Sequence, residues 1–349
     1  MSGLNGNARP VPDDRYLFRI TDDTGMLQHA RYAVPDPAKG YTSDDNARAL
    51  MAAVLLFEAA GEPRYLELAA RYLGFLQYAR SDAWFRNFLG YDRHFLEQRG
   101  SEDCYGRCLW ALGFAAGRPG LPAGLRDAAG ILLRQVLPGC GELTYLRAKA
   151  YALLGLCEAK VPGTPERLKR LASDLAEGYA HHAVPGWRWF EDTVTYCNAV
   201  LPLAMLAAGD ATGQARYRTI GLESLDFLWG VTSVRDMFRP VGCKGWLSMG
   251  QRPAEFDQQP VEACGTLLAC RKAFELTGRE EYRKHAQCCL RWYTGCNSLG
   301  VSLIDPDTGG CMDGLTPDGP NRNEGAESQV SWLIASLAWQ KTAAPIAAE

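Results

Sequence analysis

The chain has 349 residues, of which 47% are hydrophobic and 22% charged, and its formal net charge is −3. This charge leaves no general basic field for nucleic acid, and no apolar run approaches the roughly 18 residues of a membrane-spanning helix. The first residues lack the apolar segment of a secretory signal. The twelve cysteines form no CxxC pair. We therefore expect a cytoplasmic globular protein with reduced core thiols, without nucleic-acid binding or membrane insertion.

A spaced motif of Phe-Glu, Gly and Tyr predicts a chain of helical hairpins. It occurs at 57–65 and again at 274–282, and its Gly-x-x-x-Tyr part recurs at 213–217. In each copy the Gly follows a long apolar-periodic segment and is expected to end a helix in the left-handed conformation. In chain order the predicted helices are 44–60 with 64–79, 102–116 with 122–136, 143–160 with 165–181, 192–209 with 213–230, 258–277 with 279–294, and 324–341.

These elements predict an all-α fold, the (α/α)6 toroid of six hairpins. The stretch near 12–32 is the expected sixth outer partner, and alternation around 299–305 predicts at most a short hairpin. Residues 1–349 are predicted to form one domain, with a short N-terminal tail of about 1–11.

The long loops predict where function lies. Segments 81–101, 231–257 and 295–323 all precede predicted inner helices, so they should lie on one face of the toroid. The loops also hold aromatic residues whose flat faces can stack on sugar rings, namely Trp84, Trp187, Trp189, Trp246 and Phe256.

Acidic residues, paired with each other or with an amide, recur at the predicted starts of the inner helices. Helix capping explains any single case, because Ser, Asp and Asn are preferred caps and acids complement the helix dipole. One acid suffices for a cap, however, and the repeated pairs indicate carboxylates converging on one mouth. The groups are Asp44-Asp45-Asn46, Glu102-Asp103, Glu191-Asp192, Asp257-Gln258 with Glu262, and Asn323-Glu324 with Glu327.

The acid pairs also constrain the chemistry. A helix N-terminus lowers the pKa of a carboxylate, which suits a base, a nucleophile or a hydroxyl acceptor. A general acid must therefore gain its proton from burial or from a second carboxylate beside it. No metal-ligand spacing, nucleophile elbow or phosphate-binding loop is found, so neither a metal nor a cofactor is expected.

Several strings resemble a known family. TDDTGMLQHARYAVPDPAKGYTSDDNARAL, GSEDCYGRCLWALG, WRWFEDTVTYCNAVLP, FDQQPVEAC and NRNEGAES are similar to an uncharacterised bacterial group of six-hairpin glycosidase-like proteins, often fused to or encoded beside glycosyltransferases. The Asp44-Asp45 pair is also similar to the catalytic Asp-Asp of bacterial and fungal α-1,6-mannanases with this barrel. The resemblance departs at Cys197, where the group usually has Asp. No nucleotide-sugar-binding Rossmann pattern is present.

Together the residues and the resemblance predict a glycoside hydrolase acting on oligosaccharides. The expected proton-transfer or nucleophilic residues are Asp45, Asp103 and Glu191. The expected substrate-binding residues are Asp44, Asn46, Glu102, Arg107, Trp187, Trp189, Asp192, Trp246, Asp257, Gln258, Glu262, Asn323, Glu324 and Glu327.

Three alternatives remain open. A phosphorylase needs a phosphate site, for which Arg107, Arg252 and Arg322 are candidates. A sugar isomerase needs histidine bases in the mouth, and the sequence places none there. The third alternative is a non-catalytic glycan-binding partner of a glycosyltransferase.

Overall fold

The computed structural model describes residues 11–159 and 161–343; most of the predicted tail at 1–11 lies outside this part. Two short 3-10 helices cover Pro37–Lys39 and Leu137–Glu142. The α-helices are α1 (Arg15–Arg19), α2 (Ser43–Ala60), α3 (Pro63–Ala79), α4 (Glu102–Ala116), α5 (Ala123–Val136), α6 (Leu146–Glu158), α7 (Thr164–His182), α8 (Val200–Thr212), α9 (Ala215–Thr232), α10 (Pro260–Thr277), α11 (Glu280–Tyr293) and α12 (Ala326–Ala343).

The helices form two concentric rings. The even-numbered helices α2 to α12 each pack on the next, and α12 packs back on α2, which closes the inner ring. The odd-numbered helices α3 to α11 each pack outside the inner helix that precedes them, and α1 lies against α12. The predicted (α/α)6 fold is confirmed. The expected sixth outer partner at 12–32 contributes only the five-residue helix α1.

All inner helices run in the same direction. Asp44, in the first turn of α2, forms an ion pair with Arg107, in the second turn of α4. At the opposite end Lys341, near the end of α12, pairs with Glu58, near the end of α2. The N-termini of the inner helices therefore meet at one end of the toroid, which we call the mouth.

The hairpin motif acts as predicted. Gly61 and Gly278 have φ angles of 71° and 67°, and each N–H donates to a carbonyl four residues earlier, ending α2 and α10. A residue with a Cβ rarely adopts this left-handed conformation, so the Gly sets the helix end. Tyr65 and Tyr282 are fully buried, and their hydroxyl groups donate to Asp14 and Asp226, which lie outside their own hairpins.

Twelve two-residue strands lie in the loops of the described chain. They form the antiparallel pairs Ala30–Arg31 (β1) with Val34–Pro35 (β2), Tyr41–Thr42 (β3) with Phe88–Leu89 (β6), Arg80–Ser81 (β4) with Trp84–Phe85 (β5), Thr193–Val194 (β7) with Leu247–Ser248 (β10), Ser233–Val234 (β8) with Met237–Phe238 (β9), and Leu315–Thr316 (β11) with Gly319–Pro320 (β12). The alternation at 299–305 gives isolated bridges rather than a strand pair. No helix of the described residues is long and apolar enough to cross a membrane.

Two predicted helix starts are wrong. The fourth inner helix begins at Val200 rather than near Glu191, because β7 pairs with β10 and Cys197 has a φ of 46°. A β-paired segment and a positive φ are both incompatible with an α-helix, so Glu191 and Asp192 remain in the loop. The third inner helix begins at Leu146 rather than 143, because the chain first forms a 3-10 helix.

Candidate active site

A cavity of about 420 Å³ opens at the mouth. We call it the mouth cavity. Its walls come from the N-terminal segment, the start of α2, the loop before α4, the start of α10 and the segment leading into α12. Its lining residues are Gln28, His29, Thr42, Asp44, Asp45, Arg48, Asn87, Phe88, Gln259, Asp313, Asn321, Gly325, Glu327 and Ser328.

A second cavity of about 410 Å³ opens at the opposite end of the toroid. Its floor is apolar, with Trp110 and Phe114, and its rim is charged. Every charged residue of the rim is ion-paired, as in Lys272 with Asp210 at 2.7 Å. We place the chemistry in the mouth cavity instead, because only there do carboxyl groups with shifted pKa values meet.

Thr42, and not an aspartate, caps α2. Its Oγ1 accepts from the N–H of Asp45 at 3.0 Å and donates to Asp45 Oδ2 at 2.6 Å. Ser101 caps α4 in the same way, accepting from the N–H of Cys104. The acids that follow Thr42 and Ser101 are therefore not needed as N-caps. Helix capping does not explain why they occur at these positions.

One guanidinium joins the two aspartates. Arg48 Nη2 lies 2.9 Å from Asp44 Oδ1 and 2.8 Å from Asp45 Oδ1, while Nη1 donates to Glu327 Oε2 at 2.8 Å. Since both aspartate oxygens touch the same nitrogen, they are less than about 6 Å apart, which is below the roughly 6.5–9.5 Å separation of inverting glycosidases. Arg48 thus holds the two carboxyl groups side by side.

The two carboxyl groups differ in proton affinity. Burial, together with the charge of Asp44 and against the attraction of Arg48, raises the pKa of Asp45 to about 7. Burial acts on Asp44 in the same direction, but Arg107 and Arg48 outweigh it and hold the pKa of Asp44 below its usual value. Arg107 Nη1 lies 2.5 Å from Asp44 Oδ2. At neutral pH Asp44 is therefore ionised, whereas Asp45 is only partly so.

Arg107 links this pair to the turn before α8. Its Nη2 donates to the Tyr151 hydroxyl at 3.0 Å and to Cys197 Sγ at 3.1 Å. The N–H of Cys197 donates to Glu262, whose carboxyl group also accepts from Asn198 Nδ2 at 3.0 Å. Burial raises the pKa of Glu262. Glu262 therefore shapes the turn beneath the mouth and does not line the mouth cavity.

Asp103 and Glu191 belong to a separate cluster. Glu191 accepts two hydrogen bonds from Arg147 Nη1, at 2.9 and 2.7 Å, and Asp103 accepts from the Tyr196 hydroxyl at 2.8 Å. Neither residue lines the mouth cavity. The sequence grouped them with Asp45 because it placed Glu191 at a helix start, whereas the loop directs it to Arg147.

Four predicted substrate-binding residues use their polar groups inside the protein. Glu102 accepts from the N–H groups of Thr144 and Tyr145 and so caps α6. The other three are buried: Asn46 bonds the backbone of Met26, Gln258 bonds Ser298 and Trp292, and Glu324 accepts from Thr308. These side chains hold the loops around the mouth, and that they bind hydroxyls stays a prediction.

The predicted aromatic platforms are mostly structural as well. Trp187 and Trp189 are buried against Phe227, and their indole N–H groups donate to the carbonyls of Glu191 and Thr193. Trp84 is buried and stacks on Tyr105. The sequence could not distinguish an indole under a loop from one that faces solvent.

The remaining predicted residues lie near the mouth but outside the mouth cavity. Trp246 is partly exposed, and Asp192 is exposed. Asp257 pairs with Lys244 at 3.1 Å. Asn323 Oδ1 accepts from the N–H of Tyr32 at 2.9 Å. That these residues bind substrate stays a prediction.

Of the residues that line the mouth cavity, the sequence predicted Asp44, Asp45 and Glu327 as site residues, and three of those that it missed bear on the chemistry. His29 lines it, because the N–H of Ala326 donates to the carbonyl of Gln28 and ties the N-terminal segment to the start of α12. Asp313 lines the same wall and accepts from Ser328 Oγ at 2.8 Å, and burial raises the pKa of its carboxyl group. The third is Phe88. His29 corrects the expectation that the mouth holds no histidine; its only sequence signal was its position within 12–32.

Within the part of the chain that the structure describes, no three His, Cys, Asp or Glu side chains are arranged to hold a metal ion. The expected independence from metals and cofactors stays a prediction.

No family model and no curated protein matches this chain. Solved structures do match it over nearly its whole length. A sugar epimerase from a ruminal bacterium has a TM-score of 0.73 and 11% identity, covering 95% of this chain and 96% of that one. A D-mannose isomerase also has a TM-score of 0.73 and 11% identity, with 94% of each chain covered.

An α-1,6-mannanase from a Salegentibacter species has a TM-score of 0.63 and 11% identity, covering 94% of this chain and 96% of that one. The same mannanase has been solved as an inactive variant, with two consecutive aspartates replaced by asparagine, in complex with α-1,6-mannotriose. At these identities the likeness concerns the fold: the toroid is shared with sugar epimerases, a sugar isomerase and a mannanase.

Proposed function

We propose that the chain is a retaining glycoside hydrolase that cleaves oligosaccharides in the mouth cavity. The observation that carries the proposal is the pair Asp44 and Asp45, held less than about 6 Å apart by Arg48 and unequal in proton affinity. Two neighbouring carboxyl groups with separated pKa values are the usual basis for assigning an acid and a nucleophile.

In the first step the ionised Asp44 attacks the anomeric carbon while Asp45 donates its proton to the glycosidic oxygen. The bond from carbon to the leaving oxygen breaks, and a glycosyl ester forms on Asp44. In the second step Asp45 takes a proton from water, the water oxygen attacks the same carbon, and Asp44 leaves as a carboxylate. The substrate gains one water overall.

Arg48 suits this cycle because it contacts both carboxyl groups. Before the attack the negative charge of the pair is on Asp44, and in the ester intermediate it is on Asp45. The pair keeps one negative charge throughout, and the same guanidinium nitrogen faces it in both states. The environment is therefore prepared for both steps without rearrangement.

The mannanase supports this assignment. Its variant with two consecutive aspartates replaced is inactive, and Asp44 and Asp45 are likewise consecutive. Neutral α-1,6-linked mannosides are accordingly the first substrates to test. A glycan-binding partner of a glycosyltransferase, without catalysis, remains the alternative in which these ligands bind and are not cleaved.

The proposal is tested with parent protein and the variants Asp44→Asn, Asp45→Asn and Asp318→Asn on manno-, gluco- and galacto-oligosaccharides, with and without phosphate. Asp318 is the matched control, because it is an exposed acid in the segment leading into α12 that does not line the mouth cavity. We expect hydrolysis by the parent and the control, and loss of about 10²–10⁴ in rate in the other two variants. Full activity of Asp44→Asn would refute the assignment of Asp44 as the nucleophile.

A sugar epimerase or isomerase is the second candidate, and His29 in the mouth cavity favours it. A histidine can take the proton from the carbon next to a sugar carbonyl. Deuterium entering carbon 2 of mannose or glucose in heavy water, abolished by His29→Asn, would support this candidate over hydrolysis. A phosphorylase is less favoured, because Arg107 is fully engaged with Asp44, Tyr151 and Cys197.

A further inference from the structure

The structure assigns Phe88 as the stacking platform of a sugar subsite beside the acid pair, and we propose that this subsite takes the apolar face of a neutral pyranose ring. The inference deepens the proposed function and rests on it. It replaces Trp187 and Trp189, whose rings are buried.

Phe88 differs from the other loop aromatics in its surroundings. Among the described residues it is the one Phe, Tyr or Trp side chain that lines the mouth cavity, and 43% of it is exposed. An exposed apolar residue is common on protein surfaces and needs no explanation alone. Here the exposed ring forms a wall of a cavity whose other walls carry the acid pair and amides.

The backbone holds Phe88 firmly in this position. Its N–H donates to Glu97 Oε1 at 2.7 Å, and its carbonyl accepts from the N–H of Leu96 at 2.9 Å. In the β3–β6 pair it lies opposite Thr42, the residue that caps α2 and bonds Asp45. The backbone of Phe88 is therefore fixed relative to the acid pair, and a bound sugar would not have to order this part of the loop.

The lining also indicates the class of sugar. A pyranose has an apolar C–H face, which suits an aromatic ring, and a rim of hydroxyl groups. The amides of Gln28, Gln259 and Asn321 line the cavity and can exchange hydrogen bonds with hydroxyls. Glu327 also lines it, and Arg48, the one lining arginine or lysine among the described residues, is already shared among carboxylates, so an anionic sugar would find no free guanidinium or ammonium group there.

The test compares Phe88→Ala, Phe88→Tyr and the control Leu96→Ala. Leu96 lies on the same loop, is 74% exposed and does not line the mouth cavity. The KM and kcat are measured on the oligosaccharide that the parent cleaves best. Dissociation constants are measured by calorimetry in the Asp45→Asn background, with α-1,6-mannotriose and an oligogalacturonate as neutral and anionic probes.

We expect Phe88→Ala to raise KM and the dissociation constant about tenfold, the loss from removing an apolar contact of roughly 1.4 kcal/mol. Phe88→Tyr should restore both, Leu96→Ala should change neither, and the oligogalacturonate should not bind. Unchanged binding by Phe88→Ala, or an equal loss of binding in Leu96→Ala, would overturn the role of Phe88 as a stacking platform. Neither result would overturn the proposed hydrolase activity. A parent that neither binds nor cleaves any neutral oligosaccharide would instead overturn the proposed function.

Discussion

Asp44 and Asp45 are adjacent in sequence and share one guanidinium, yet their pKa values are shifted in opposite directions. The difference comes from their partners: Asp44 faces Arg107 and Arg48, whereas Asp45 is buried behind Asp44 with Arg48 alone as its cation. The sequence supplies the pair and Arg48 one turn later. It does not predict that Arg107, which was expected to bind substrate, pairs with Asp44 from the neighbouring helix.

The first residue prediction concerns the pH dependence of activity. A general acid must be protonated to act, and the pKa of Asp45 is raised to about 7. We expect kcat/KM to fall as pH rises through about 7, and to fall again at low pH where Asp44 becomes protonated. A kinetic pH profile of the free enzyme checks this, and a rate that still rises above pH of about 8 contradicts it.

The second residue prediction concerns stability. Because the native pKa of Asp45 is raised above that of the unfolded chain, the native state holds a proton between pH of about 4 and 7 that the unfolded state has lost. The free energy of unfolding therefore decreases as pH rises through this window, and asparagine removes the effect. We expect the melting temperature of Asp45→Asn, relative to the parent, to increase from about pH 5 to about pH 8. A constant difference would show that Asp45 does not titrate this way.

At the scale of the element, the start of α2 joins capping to chemistry. Thr42 caps the N-terminus of α2, belongs to β3 and donates to Asp45, so one residue links the helix, the loop with Phe88 and the acid. Ser101 caps α4 without any bond to an acid that lines the mouth cavity. Substitutions at Thr42 and Ser101 can therefore be compared, because both remove an N-cap and only the first also removes a hydrogen bond to Asp45.

Replacing either cap by alanine should lower the free energy of unfolding by about 1 kcal/mol, the usual loss of a capping hydrogen bond. We expect Thr42→Ala also to shift the alkaline limb of the pH profile, because Asp45 loses its hydroxyl partner, and Ser101→Ala to leave that limb in place. Urea denaturation and kinetic pH profiles separate the two effects. Equal pH profiles for both variants would mean that Thr42 is only a cap.

At the scale of the molecule, ion pairs join the inner helices at both ends of the toroid, but their burial differs. At the mouth Arg107 is buried with Asp44, whereas at the opposite end Lys341 and Glu58 are partly exposed. Breaking a buried pair leaves an uncompensated charge, while an exposed pair contributes little.

We therefore expect Arg107→Met to lower the free energy of unfolding by about 3–5 kcal/mol. The control Lys341→Met should change it by less than about 1 kcal/mol. Urea denaturation of both variants near neutral pH measures the difference. Similar small effects would indicate that Asp44 regains water or takes up a proton when Arg107 is removed.

The sequence predicted the parts of this molecule that local patterns determine. Glycines such as Gly61 mark helix ends, and apolar periodicity marks the hairpins, so the toroid followed. The site depends instead on contacts between distant segments. β3 with β6 places Phe88, β7 with β10 keeps Glu191 out of a helix, and the bond from Ala326 to Gln28 places His29. No local pattern encodes these pairings.

The most direct test of the central claim is the configuration of the first product. Proton NMR, recorded within the first turnovers on α-1,6-mannotriose or on whichever neutral α-linked oligosaccharide the parent cleaves best, distinguishes the two anomers before they interconvert. Because Asp44 and Asp45 are close enough for a glycosyl ester to form on Asp44, the account predicts that the α anomer is released first. Initial release of the β anomer would contradict it, since inversion requires a water between more distant carboxyl groups.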